Sequence, residues 1–170
     1  MLLDTWPETS LAEPVSLAEF VEKGLLERIR PFAGALDAYR LIEARGRAMV
    51  LTEGYADTQE AIAERLGLCV DRSTFLATKP HNVRKRDGSA FRLACELLQV
   101  DADEIVIVGD NWSWDILGAG KAGMWQVWIT ADRQDRTDPP DRYLGRVTAF
   151  QDAPAFIAAN WGARGLKAPH

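Results

Sequence analysis

An α/β fold, a parallel β-sheet covered by helices on both faces, is what this sequence predicts. Three observations carry the prediction. Short, mostly apolar runs recur at 48–51, 105–108 and 126–129, too brief for buried helices. Amphipathic stretches with helical spacing separate them, the alternation expected of βαβ units. The runs end in turn-forming or polar residues, Thr52-Glu53-Gly54 and Gly109-Asp110, as strands feeding loops do. With 170 residues and about 100–200 residues per domain, the chain reads as one domain, 1–170, with its core over 31–160.

The elements follow in order. A Pro-containing loop opens the chain, and an apolar-periodic stretch runs from Leu17 to Ile29. Ser16 can cap it, with Glu19 completing a capping box, and Pro31 ends it. Residues 34–45 set Leu36, Tyr39, Leu41 and Ile42 at near-helical spacing, closed by Gly46. Residues 48–51 read as a buried strand. A helix capped by Asp57 spans 57–66 and stops at Gly67; a short strand at 68–70 and a charged loop over 71–87 come next. Ser89 caps a helix over 88–99. The clearest strand is 105–108, β-branched throughout and bounded by acids and Gly109. A helix of small residues covers 114–122, then a strand at 126–129. The polar 131–142 stretch holds Pro139-Pro140 and reads as an exposed loop. A last strand at 147–150 and a helix at 153–160 close the pattern.

Composition excludes several classes of function. A net charge of −5 with no basic tail argues against nucleic acid or an anionic membrane as a partner. No apolar run approaches a membrane span, and Asp4, Pro7 and Glu8 stand where a signal peptide needs basic and apolar residues. Cys69 and Cys95 are too few for a disulfide framework and read as inert small residues, so a reducing cytoplasm is expected. With only His81 and His170, a histidine triad or zinc site is not expected.

In a parallel sheet, ligands collect beyond the carboxyl ends of the strands. Asp110 follows one strand there, and Asp115 comes five residues later. Two carboxylates near one turn suit a hard cation such as Mg²⁺, which takes one or two of them plus phosphate and water. Equally, Asp110 can cap the next helix and Asp115 can be a solvated first-turn acid. In VLTEG, Thr52 and the N–H groups of Glu53 and Gly54 can hold a phosphate, or form an ordinary strand-to-helix turn. In VRKRDGSAF, Lys85 can hold a phosphate as a point charge or belong to a solvated basic loop with Lys79, Arg84 and Arg86.

Taken together, these three segments resemble the haloacid dehalogenase (HAD) superfamily, mostly Mg²⁺-dependent phosphatases. VLTEGYADTQEAIAERLGL is similar to the family's second motif, with Thr52 in place. VRKRDGSAFRLACELLQV is similar to the third, with Lys85 as its lysine, although Arg86 stands where members usually have Pro. Lys79-Pro80 competes for that role, but Lys85 lies at the usual distance from Phe91. Gly109-Asp110 through Asp115 fits GDxxxxD, the fourth. The resemblance covers about 31–130 and implies a three-layer Rossmann-like fold. It implies Mg²⁺ on Asp110 and Asp115, the phosphoryl group bound by Thr52, Glu53, Gly54 and Lys85, and charge stabilisation by Thr52 and Lys85.

The family's first motif, DxDGT at the end of a central strand, has no counterpart. Met1-Leu2-Leu3-Asp4-Thr5 looks like the TLLDT that commonly continues it. On this reading the first central strand is missing or replaced, and 1–30 is the remnant of a minimal cap or linker. Adjacent strands lie about 4.8 Å apart, so its loss leaves two inner edges about twice that distance apart. Direct pairing of 48–51 with 105–108 is the expected closure. A strand from another chain, or N-terminal residues crossing the opening, are the alternatives.

Two features read as decoys. Gly118-Ala-Gly120-Lys-Ala-Gly123 spells GxGxxG but lies ten residues beyond Val108, where a dinucleotide site needs it directly after the strand. It reads as small residues letting a helix pack closely on the sheet. Trp112, one of six tryptophans, can stack on a substrate ring or pack at the core and rim.

The expected function is that of a Mg²⁺-dependent phosphomonoester hydrolase. An aspartate attacks, and an aspartyl-phosphate forms and is hydrolysed. This chain is expected to be inactive or nearly so, since the attacking carboxylate is absent. The alternatives are a non-catalytic binding or regulatory domain retaining a phosphate and metal site, and a receiver-like phospho-acceptor. The expected partners are a phosphorylated small molecule or macromolecule, and a second copy joined through exposed sheet edges.

Overall fold

The computed structural model describes residues 24, 26–68, 74–131 and 136–163. In chain order its elements are α1 (Ala35–Glu43), β1 (Val50–Thr52), α2 (Ala56–Arg65), β2 (Phe75–Ala77), α3 (Ser89–Leu98), β3 (Val106–Gly109), α4 (Leu117–Lys121), β4 (Trp125–Ile129), β5 (Tyr143–Val147) and α5 (Ala153–Ala163). A π-type turn, Trp112–Ile116, leads into α4. Up to β4 the strands alternate with helices, and every pairing among the described residues is parallel, the α/β class the sequence predicts.

Helices cover both faces, and β3 shows how. Val106 and Val108 pack with Val127, Leu144, Val147 and Ala153, the cluster that α5 closes with Phe156 and Ile157. Ile107 points the other way, to Phe91 of α3 and to Ala119 and Met124 around α4. This alternation is the period of two that a strand buried on both faces must have. On the far side, α2 buries Ala63 against Phe75 and Ala77 of β2.

Among the described residues the strands form two sheets, β1–β2 and β3–β4–β5, with no hydrogen bond between β1 and β3. The expected direct closure of 48–51 onto 105–108 does not occur. Tyr39 and Ile42 of α1, Phe91 of α3, and Phe150 line the intervening cavity of about 310 Å³ together with Leu51 and Val106–Val108. Those side chains are anchored in the flanking helices, and closing the gap would drive them into a packed layer.

Several boundaries differ from the sequence reading. Tyr55, not Asp57, is the N-cap of α2. Gly88 is the N-cap of α3, with φ 84°, which moves Ser89 inside the helix. Leu68 is not in a strand, and the rest of 68–70 lies outside the described residues. The second strand is instead Phe75–Ala77, within the stretch read as loop: three residues are too few to show a period. The last strand is Tyr143–Val147 rather than 147–150, because Gly145 and Arg146 break its apolar pattern. Phe156 lies where a Gly145 side chain would go, 2.7 Å from an added Cβ. Positions 24 and 26–28 are helical, while Ser16, Glu19 and Cys69 lie outside the described residues. No helix among those described is long and apolar enough to cross a membrane.

Candidate active site

The turn after β3 organises the site. Gly109 ends the strand, and a Cβ there would lie 2.5 Å from the Asp115 Cβ, so glycine alone lets Asp115 fold back over the strand end. Asn111 caps the turn: its side chain accepts the Trp114 N–H at 3.0 Å, and its own N–H donates to Asp115 Oδ2 at 3.0 Å. The Ile116 N–H reaches the Asn111 carbonyl at 3.3 Å, the wide spacing that marks a π-type turn. The sequence left Asp110 open between cap and ligand, and Asp115 between ligand and solvated acid. The capping is done by Asn111, and Asp115 is buried at 6% exposure. Asp110 is exposed, and its carbonyl accepts the Trp128 indole N–H at 2.9 Å.

Lys85 ties the two sheets together. Its ammonium donates to Asp115 Oδ1 at 2.9 Å, a pair in which both side chains are largely buried. Its backbone N–H donates to Glu53 Oε1 at 2.7 Å, just past the end of β1. Its carbonyl lies against Gly118 of α4, where any Cβ would overlap it. Lys85, Asp110 and Asp115 therefore share one cavity wall. Thr52, Glu53 and Gly54 form the adjoining turn, joined to that wall through the Glu53–Lys85 bond. The Thr78 and Lys79 N–H groups fix this turn by donating to the Thr52 and Gly54 carbonyls at 3.0 and 3.1 Å. The Thr52 hydroxyl donates to Gln59 Oε1 at 2.7 Å. The competing Lys79 instead lies over the Tyr55 ring, 5.8 Å from its centroid.

Among the described residues, no cluster of three or more His, Cys, Asp or Glu side chains could hold a metal ion. Asp115 already has one oxygen on Lys85 and the other on the Asn111 N–H. The Asp110 carboxylate has no hydrogen-bond partner among the described residues. That donor set fits a hard cation whose remaining ligands are phosphate and water.

Sequence reasoning missed four contributors. Gln59 acts through one hydrogen bond to Thr52, Asn111 through its cap to Trp114 and its own N–H to Asp115, and Trp128 through its indole N–H. Gly118 was visible as a small residue, but the partner that demands it was not. It packs on the Lys85 loop and Gly120 on Pro140, whereas Gly123, at φ 80°, follows the helix end. These needs account for the GxGxxG spelling without a dinucleotide. Burial pushes the Cys95 thiol up, away from reactivity.

Comparison with known proteins bears on this geometry. Residues 4–123 match the haloacid dehalogenase-like hydrolase family. A phosphoserine phosphatase from Thermus thermophilus is 33% identical over 132 residues, 75% of this chain and 52% of the relative. The pyrimidine 5'-nucleotidase YjjG of Escherichia coli is 26% identical over 136 residues, 79% of this chain and 60% of its own length. The chain thus spans a little over half the length of these curated relatives. Among solved structures, the magnesium-bound putative HAD-hydrolase YfnB of Bacillus subtilis superposes with a TM-score of 0.67 at 19% identity, covering 80% of this chain and 60% of YfnB.

Proposed function

Because this chain belongs to the haloacid dehalogenase-like hydrolases, we propose that its site handles a phosphate monoester with Mg²⁺. The observation that carries this reading is Lys85. One residue joins the end of β1 to the end of β3 and presents a half-buried ammonium, itself paired with Asp115, to a cavity that Asp110 also lines. A dianionic phosphoryl group needs such fixed positive charge where its own charge develops. The relatives' names, a phosphoserine phosphatase and a 5'-nucleotidase, point to the same bond class.

Each residue has a part. Thr52 and the N–H groups of Glu53 and Gly54 hold phosphoryl oxygens, and Gln59 sets the Thr52 hydroxyl. Lys85 stabilises the transferring group, and Asp115 keeps Lys85 in place. Asp110, backed by Asp115, would hold Mg²⁺, which when bound neutralises phosphate charge. Asp110 and Asp115 are the carboxylates of the described cavity wall, and both have these tasks. The described cavity wall therefore supplies no attacking carboxylate. The 170-residue chain is expected to bind phosphate and to turn esters over slowly or not at all.

The test is hydrolysis of an aryl phosphate with and without Mg²⁺, by this chain and by a version extended upstream through a strand ending in DxDGT. Mg²⁺-dependent turnover that Asp110→Ala and Lys85→Ala abolish is expected of the active form. Turnover that survives Asp110→Ala overturns the site. Phosphate binding without turnover in either form favours a non-catalytic phosphate-binding domain.

A further inference from the structure

We propose that Arg136, in cation–π contact with Trp112 and Trp128, recognises a second anionic group of the substrate, a carboxylate or phosphate carried by the leaving group. The inference rests on the phosphate-monoester reading of the neighbouring site and adds a substrate class to it.

The Arg136 guanidinium carbon lies 5.2 Å from the Trp128 ring centroid and 5.6 Å from that of Trp112. The two indoles meet edge to face at 4.9 Å and 64°, and Trp112 meets Tyr143 at 5.5 Å and 76°. Tyr143 belongs to β5 and Trp128 to β4, so the sheet itself holds this aromatic corner. A cation–π contact neutralises none of the guanidinium charge, so the group keeps its preference for a bidentate anionic partner. Among the described residues the ion pairs are Arg40–Asp37 and Lys85–Asp115, so no carboxylate there takes those donors.

Position gives this cation its meaning. The same Trp128 donates its indole N–H to the Asp110 carbonyl at 2.9 Å, and Trp112 is two residues from Asp110. The platform that holds Arg136 is thus bonded to a residue that lines the cavity. Lys85 serves the phosphoryl group, so a second negative charge on the ligand is assigned to Arg136. A planar, pre-oriented fork suits a carboxylate or phosphate better than a flexible ammonium does.

Calorimetric titration with non-aromatic phosphates separates the possibilities. The probes are ethyl phosphate and the phosphate esters of glycolate, 3-hydroxypropionate and 4-hydroxybutyrate, which place a carboxylate at increasing reach. At least one carboxylate ester is expected to bind about tenfold tighter than ethyl phosphate. Arg136→Gln removes that advantage and leaves ethyl phosphate within about twofold of its original affinity. Arg136→Lys, which keeps the charge but loses the fork, restores only part of it. Arg136 is exposed, so these variants keep the fold. Equal affinities for all four probes, or an advantage that survives Arg136→Gln, overturn the role of Arg136 while the phosphate site stands. Failure to bind ethyl phosphate overturns both readings.

Discussion

Lys85 commits its N–H to Glu53, its carbonyl to the Gly88 N–H beside Gly118 and its ammonium to Asp115. Removing the ammonium leaves the buried Asp115 carboxylate without its counter-charge. Breaking a buried pair from one side costs about 3 kcal/mol, so Lys85→Met should lower the urea midpoint sharply. Adding Asp115→Asn should recover much of the loss, and no recovery would show that Lys85 acts through packing. A second residue reports on pH. The Ser89 hydroxyl, and then its backbone N–H, hold the Asp87 carboxyl below the usual carboxylate value, with Arg92 and Arg84 adding to the effect against a small opposing desolvation. A lowered folded value stabilises the fold above the unfolded pKa of about 4, and the gain disappears as pH falls through the folded value. Asp87→Asn should therefore flatten the acid limb of the stability curve; an unchanged limb would remove Asp87 from it. Lys85 and Asp110 were legible because charged residues at strand ends carry meaning in sequence. Gln59 was not, since a polar residue in the helix after a strand occurs in every α/β chain.

Helix α4 shows what an element adds. Its glycines look like a nucleotide motif, yet each answers a different neighbour. Alanine at 118 would overlap the Lys85 carbonyl, and alanine at 120 would come within 2.9 Å of Pro140. Overpacking at either position costs about 1–3 kcal/mol. The two variants should nevertheless part in function: Gly118→Ala displaces the Lys85 loop and weakens inorganic phosphate binding, while Gly120→Ala loses stability alone. Equal phosphate affinity in both, measured by calorimetry, would detach α4 from the site. Elements of ten residues, such as α2 and α3, were legible because amphipathic spacing accumulates over several turns. β2, with three residues, offered too short a window, and β5 was displaced because Gly145 replaces an apolar residue to admit Phe156.

At the scale of the molecule, one sheet's worth of strands stands as two. The sequence indicated inner edges on 48–51 and 105–108, but not whether they would meet, because pattern reports which faces are apolar and not how far helices hold strands apart. The consequence is readable at single amides. In a strand the N–H and C=O of one residue point to the same side, and neighbouring residues alternate. Ile105 gives its carbonyl to Trp125 of β4, so Val106 and Val108 turn their N–H groups toward the gap. On the other edge, Val50 and Thr52 bond the β2 side, through Thr74 and Thr78, and Leu51 faces the gap. Every residue of β1 and β3 is only half-buried, whereas Gln126, Val127 and Trp128 at the centre of β4 are buried. Amides without a protein acceptor and within reach of water exchange at the local opening rate. Hydrogen exchange should therefore find Leu51, Val106 and Val108 fast, Ile107 slow, and β4 slowest. Phosphate binding bridges Lys85 and the two strand ends without filling the gap, so it should slow Glu53 and Gly54 and leave those three amides fast. Uniform protection across β1, β3 and β4 would mean that the two half-sheets are joined in solution.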